Sequence, residues 1–264
     1  MTPPETGSQP FRFSVLTPGG REPAPLERQL ISEVPVAFDF NGIGYAVMMA
    51  TPMDLEDFAI GFSLSEQLID TASDIASIDV HRAEKGWIVR VQLPPEKAEK
   101  VYARARQRVS ESSCGLCGMD NLDEVMRDLP RVTAKLDIAD HAIFAALSAL
   151  RAHQHLNAAT GASHAAAFCN ADGSIQIVRE DVGRHNALDK VIGAIAQSGG
   201  IATEGFLLLT ARCSFELVQK AILANCPLLV TISAATDLAA KTAAAHDMRL
   251  VSLARPDSAL SAYP

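Results

Sequence analysis

From residue 164 onward, short apolar runs alternate with amphipathic helical stretches, and that alternation leaves few folds open. Phe206-Leu207-Leu208-Leu209 is apolar without interruption. A run this short and continuous reads as a strand whose two faces are both covered. The pattern predicts strands His164 to Asn170 and Ile175 to Arg179 around an Asp172-Gly173 turn. Helix Gly183 to Gln197, strand Phe206 to Thr210, helix Ser214 to Ala224 and strand Leu228 to Ser233 follow. Helix Thr236 to His246 and strand Leu250 to Leu253 complete it, after an earlier helix near Ile138 to His153. Strands that alternate with helices run parallel, because each crossover returns the chain to the same end of the sheet.

The first half has a different rhythm. Val34, Val36, Phe38 and Phe40 alternate as on a half-buried strand, Asn41-Gly42 is a hairpin signal, and Tyr45 to Ala50 returns. Thr51-Pro52-Met53-Asp54 reads as a helix start with Thr51 as cap, and Leu55, Phe58, Ala59, Phe62 and Leu68 form one apolar face. Strands near Ile78 to His81 and Trp87 to Leu93 precede a helix from about Pro95 to Val109. The expected division is therefore a flexible, Pro- and Gly-rich arm over residues 1–28, an α+β domain over 29–109, a loop and connector over 110–136, and an α/β domain over 137–264.

Composition narrows the function classes. Hydrophobic residues make up 48% and charged residues 20%, a balance that supports a packed core. A net charge of −8 offers no broad basic field for nucleic acid. No apolar stretch reaches the ~20 residues that span a bilayer, and Met1 to Arg12 lack a signal-peptide pattern, so no membrane partner and a cytoplasmic location are expected. Five cysteines without framework spacing read as reduced thiols.

The strongest chemical signal is Ser112-Ser113-Cys114-Gly115-Leu116-Cys117-Gly118. Two thiols separated by two residues and flanked by glycine suit zinc, dithiol redox chemistry or sulfur carriage. Structural zinc needs a second ligand pair, which the sequence lacks. Thioredoxin-type chemistry places the pair at a helix start that lowers the thiol pKa, whereas Asp120, Asp123 and Glu124 follow here. A dithiol-disulfide oxidoreductase stands as the runner-up to a persulfide carrier, which needs nucleophilicity and reach. Zinc deaminase chemistry requires H-x-E, and no histidine has Glu two residues on. Glu180 to Lys190 is dense in polar groups: Asp181 reads as a helix cap, and His185 and Asp189, four apart, share a helix face. His164, at the start of a strand, reads as a satisfied core hydrogen-bonder, and Ser214 as the cap of the next helix. Arg255, after the last strand, could hold a phosphate.

Together these segments resemble the formate dehydrogenase accessory sulfurtransferase family, FdhD. The resemblance is carried by Glu33 to Val36, Asn41-Gly42, Val47 to Phe58, Gly61 to Glu66, the Cys114 to Gly118 loop, Thr160-Gly161 with His164 to Ala167, Glu180 to Lys190, and Ser214 to Lys220. It implies that the C-terminal domain has a three-layer α/β/α, cytidine-deaminase-like fold without zinc. It implies an enzyme, a sulfurtransferase, that receives sulfur from a cysteine desulfurase as a persulfide on Cys114, with Cys117 either assisting or partly dispensable. The sulfur passes to the molybdenum of a bis-molybdopterin guanine dinucleotide cofactor, bound as substrate and mimicked by a guanine nucleotide. Formate dehydrogenase is the implied recipient and a homodimer the implied assembly. The expected cofactor-binding residues are Leu253, Ala254, Arg255, Pro256, Asp257 and Ser258, with Arg184 and His185. Asp257 and Ser258 stand where relatives usually carry glycine.

Overall fold

A computed structural model of the chain describes residues 6–111, 127–200 and 202–262. It is a mixed α/β structure with three sheets. The first is a two-stranded ribbon, β1 (Ser8–Thr17) and β2 (Gly20–Ile31), paired antiparallel. This corrects the expectation of an arm without regular structure. Proline in a two-stranded ribbon can turn its missing N–H outward, because both strands are edges. The Pro- and Gly-rich composition that argued for disorder is compatible with that geometry. The register puts Phe11 and Phe13 opposite Arg28 and Leu26, so one face of the ribbon is largely apolar and exposed.

The second sheet is ordered β4-β3-β6-β5, from β3 (Val34–Phe40), β4 (Ile43–Ala50), β5 (Ser77–Ala83) and β6 (Gly86–Gln92). Asn41 and Gly42 both take positive φ, 52° and 83°, as the tight hairpin between β3 and β4 requires. The Asn41 side chain also pairs with the Leu93 backbone in both directions, at 2.8 and 2.7 Å. Val34, Val36, Phe38 and Phe40 point into the core as their alternation predicts. Phe38 packs edge-on against Phe58 of helix α1 (Leu55–Ser65), with ring centroids 5.0 Å apart. Helix α2 (Pro95–Glu111) follows β6.

The third sheet has six strands. Helices α3 (Asp140–His153) and α4 (His155–Thr160) precede β7 (His164–Asn170) and β8 (Ile175–Asp181). Then come α5 (Arg184–Gln197), β9 (Gly205–Leu209), α6 (Phe215–Leu223), β10 (Leu228–Thr231), α7 (Asp237–Ala245), β11 (Arg249–Ser252) and β12 (Leu260–Ala262). The strand order is β12-β11-β10-β9-β7-β8, and β9, β10 and β11 are parallel as expected. Both faces are covered. Ala167, Cys169, Phe206, Leu208, Leu228 and Val230 pack with Ala142, Ile143, Ala146 and Leu150 of α3. The alternate residues Ala166, Phe168, Leu207, Leu209 and Leu229 pack with α5, α6 and α7. Among the described residues no helix is long and apolar enough to cross a membrane.

Helix α1 ties the second sheet to the third, because it is buried nearly all round. Its far side lies on α5, backbone to backbone. A Cβ on Gly61 would stand 1.7 Å from the Asp189 carbonyl oxygen, and one on Gly193 would stand 1.9 Å from that of Asp57. Neither neighbour is a flexible side chain that could swing away. At one edge of this crossing Asp57 accepts from Arg179 of β8 at 2.7 Å. The helix begins at Leu55, with Asp54 at its N-cap in the left-handed region and no side-chain cap bond. Thr51 is therefore not the cap that the sequence suggests. It is wholly buried and bonded to β8 and α5 instead.

Gly61→Ala must separate two helices, so it is expected to destabilise the protein by about 3 kcal/mol, the upper end of ordinary overpacking costs. Gly44→Ala, with no atom within 4 Å of the added Cβ, should stay within about 0.5 kcal/mol of the parent. Urea midpoints of the two variants give the comparison.

Candidate functional site at the strand ends of the six-stranded sheet

The three parallel strands deliver their C-terminal ends to one edge of the sheet, where α/β folds place ligands. The antiparallel pair β7 and β8 adds its own groups there, since His164 opens β7 opposite Asp181 at the end of β8. Backbone bonds knit the edge together. Thr210 donates its N–H to the Ala165 carbonyl (3.0 Å), and its hydroxyl accepts from the Ala165 N–H (2.9 Å). Leu253 and Ala254 donate to the Ser233 and Thr231 carbonyls at 3.2 and 3.1 Å. Leu253 has φ +50°, a left-handed conformation uncommon for a branched apolar residue, and the chain turns away there. The Arg255 N–H then donates to the Ser258 carbonyl at 2.7 Å, which closes a turn whose four residues Arg255, Pro256, Asp257 and Ser258 are all exposed. Ala254 is buried beneath it. The expected cofactor-binding residues Leu253 to Ser258 thus sit at the same sheet edge as Arg184 and His185, the opening residues of α5.

Asp181 is not the cap of α5. Gly183 holds the N-cap position, and Asp181 is buried at full depth beside the buried Lys190. One Asp181 oxygen accepts from Lys190 Nζ (2.6 Å) and the Thr51 N–H (3.0 Å). The other accepts from the Gly183 N–H (2.7 Å) and Asn186 Nδ2 (2.9 Å). Lys190 also donates to the Thr51 carbonyl at 3.0 Å and lies 5.7 Å from the centre of the Phe58 ring. Burial of two charges is tolerable only with this level of pairing and hydrogen bonding. The two charges, nine residues apart in sequence, form a buried pair that joins the end of β8 to α5.

His185 and Asp189 share a helix face but do not pair. His185 Nε2 lies 2.7 Å from Glu216 of α6 and 3.5 Å from the hydroxyl of Ser214, which makes no cap bond. Asp189 accepts twice from Lys220, at 2.8 and 2.7 Å, and from the Ser65 hydroxyl at 2.6 Å. Burial pulls the His185 pKa below its ordinary value, helped by Arg184 and Lys220, against the opposing pull of Glu216 and Asp189. His164 is likewise lowered, by burial first and Arg184 second, with Asp181 opposing. Its imidazole makes no hydrogen bond with the described residues, so it is not the satisfied core histidine that the sequence suggests. Neighbouring Glu180, invisible as a site residue in the sequence, accepts from Leu156, Asn157 and Ser163 and so satisfies the start of α4.

The thiols divide sharply. Cys169, Cys213 and Cys226 are buried, and burial pushes each to a pKa of about 12. A thiol so far from ionisation is neither a useful nucleophile nor a metal ligand at neutral pH. Cys114 and Cys117 lie outside the described residues. The chain leaves the described structure after α2 and returns at Arg127, whose guanidinium donates to the Ser65 carbonyl at 2.7 Å, at the C-terminal end of α1. Beside that end lies a cleft of about 400 Å³ lined by Gln67, Lys100, Arg104 and Leu223 among others.

The chain matches the FdhD/NarQ family model over residues 31–263. A protein named sulfur carrier protein FdhD from Xanthomonas axonopodis pv. citri (strain 306) is 47% identical over 90% of this chain and 84% of its own length. One of the same name from Bordetella petrii is 39% identical over 89% and 85%. The backbone superposes with a TM-score of 0.77 on a crystal structure described as a formate dehydrogenase accessory protein from Desulfotalea psychrophila, which is 23% identical and covers 97% of each chain.

Lys190→Met leaves the Asp181 carboxylate buried without its counter-charge and is expected to cost about 3–5 kcal/mol in chemical denaturation. Stability should also fall on acidification. Because the folded His164 and His185 pKa values lie below the unfolded value near 6.5, their contribution is complete above 6.5 and is lost as pH falls below it. His164→Gln should flatten that decline, and urea midpoints at about pH 7.5 and about pH 5.5 will reveal whether it does.

Proposed function

The chain belongs to the FdhD/NarQ family, and on that premise we propose that it is a sulfurtransferase that carries sulfur on Cys114 for the molybdenum cofactor of formate dehydrogenase. The observation that carries the reading is the contrast among its five cysteines. Three are buried and held un-ionised near pKa 12, so the glycine-flanked pair Cys114 and Cys117 is what remains for thiol chemistry. The relatives named sulfur carrier proteins support the same reading.

The chemistry needs two steps. The Cys114 thiolate attacks the outer sulfur of a persulfide on a cysteine desulfurase. The bond between that sulfur and the desulfurase cysteine breaks, the desulfurase leaves as a thiolate, and Cys114 becomes a persulfide. Delivery to the metal as sulfide requires two electrons. Attack of the Cys117 thiolate on Cys114 Sγ supplies them, which releases hydrosulfide and leaves a Cys114–Cys117 disulfide for an external thiol to reduce.

The bis-molybdopterin guanine dinucleotide cofactor is the substrate in this reading. The exposed Arg255 to Ser258 turn, with Arg184 and His185 at the same sheet edge, is assigned to its phosphates. The six-stranded sheet with its covering helices is read as a cytidine-deaminase-like unit without zinc. The protein works as a homodimer in the cytoplasm, where thiols stay reduced.

Incubation with a cysteine desulfurase and cysteine, followed by intact mass measurement, is expected to add about one sulfur, ~32 Da, to the wild type. Cys114→Ala should gain none, and a triple Cys169, Cys213 and Cys226 to serine variant that still folds should gain as much as the parent. Sulfur uptake by Cys114→Ala at the parent level would remove Cys114 from the proposal.

A further inference from the structure

We propose that the ribbon of β1 and β2 is a dimerisation surface, and that the apolar faces of the ribbons from two copies of this chain pack on one another. The pairing goes beyond the reading above, which assigns a homodimer but no surface to make it. The ribbon also lies almost wholly ahead of the stretch that the family model covers, residues 31–263.

The register sorts the ribbon into two unlike faces. Residues opposite one another on antiparallel strands share a face, and so do residues two apart on one strand. Phe11 and Phe13 therefore share a face with Leu26, Arg28 and Leu30. The two rings pack together, with centroids 5.2 Å apart. The other face carries Pro10, Arg12, Pro25 and Glu27, with Arg12 and Glu27 3.7 Å apart as an ion pair. That polar face suits water, and the apolar one does not. Phe11 is 56% exposed, Phe13 37%, Leu26 46% and Leu30 40%, and Leu16 near the tip is 73% exposed.

A two-stranded ribbon is marginal on its own, so strands of 10 and 12 residues need cover on one face. The body of the protein supplies little of it. The base is anchored, because Ser32 donates its N–H to the Gly7 carbonyl at 2.8 Å and Gly7 sits tightly on Met53 and Leu156. Beyond the base, α4 is the main neighbour. The exposed phenylalanines and leucines leave roughly 500 Å² of apolar surface uncovered, near the upper end of the largest patch on an ordinary monomer.

Edges, area and shape select a second copy as the cover. Addition of a foreign strand along an edge is blunted, because Pro10 and Pro25 interrupt the rows of backbone donors. A two-fold pairing buries the apolar patch twice, roughly 1,000 Å² in all, so polar flanks have only a few hundred Å² to add to reach a standard interface. The same surface also holds both knob and hole. A groove of about 480 Å³ beside the ribbon is lined by Phe13, Leu26, Leu30, Thr160 and Gly161 among others, and the exposed Phe11 and Leu16 stand next to it. A two-fold axis seats these two side chains of each copy in the groove of the other, which is the reciprocal contact an isologous dimer requires.

Sedimentation velocity of the full-length protein between about 1 and 100 μM reads the pairing directly. The wild type is expected as a dimer. Phe11→Glu and Leu16→Glu each place a charge in the contact, and weakening of the dimer about tenfold or more by either supports it. Arg12→Gln, on the polar face, should leave the dimer unchanged. All three side chains are exposed, so at a dilution where the wild type is monomeric the urea midpoints of the variants should match its own. A wild type that stays monomeric at about 100 μM would overturn the pairing together with the homodimer assigned above, and would leave the face to a different protein. A dimer of wild-type strength in both Glu variants, or one lost in Arg12→Gln, would overturn the ribbon contact alone. Sulfur uptake by Cys114 is read by mass and is independent of each of these outcomes.

Discussion

The buried pair of Asp181 and Lys190 is the interaction on which the arrangement of the site depends. Asp181 closes β8, Lys190 lies within α5, and both bond to Thr51 at the end of β4. Two stretches of chain, 130 residues apart at Thr51 and Asp181, thus meet at two charges. Every oxygen of the carboxylate has two donors, so the start of α5 cannot rotate without leaving one of them unmatched. That start carries Arg184 and His185. The residues that face solvent at the sheet edge are held from below by residues that water does not reach.

The regular elements of both larger sheets were legible because their hydrophobic periods are plain. The alternation of Val34, Val36, Phe38 and Phe40, and the unbroken run from Phe206 to Leu209, each match the observed burial. What escaped the sequence was partner choice. His185 and Asp189 sit one helical turn apart, but α6 brings a lysine to one and a glutamate to the other. Cross-element contacts of this kind outcompete spacing within a helix, and spacing is all that a sequence displays. The Asp181–Lys190 pair was illegible for the same reason, since its meaning depends on a carbonyl and an N–H supplied by Thr51. The ribbon of β1 and β2 was missed because proline and glycine counts cannot tell a loose arm from a pair of edge strands.

The cysteines show the opposite case, in which sequence said more than structure. Cys114 and Cys117 announce themselves by spacing and glycine neighbours alone. The structure adds the reason that the other three do not compete: each is packed among aliphatic side chains, where a thiolate would be left without solvation. Chemistry and packing have been given to different members of the same residue type.

Helix α1 belongs to two cores at once, with aromatic residues against the four-stranded sheet and glycine against α5. A chain built this way has no clean seam for recombination. Each half, if moved by gene shuffling into another protein, would carry away a surface shaped to its old neighbour's backbone. Such an architecture is inherited as a whole, and its diversity has to accumulate in loops and surfaces rather than by exchange of modules.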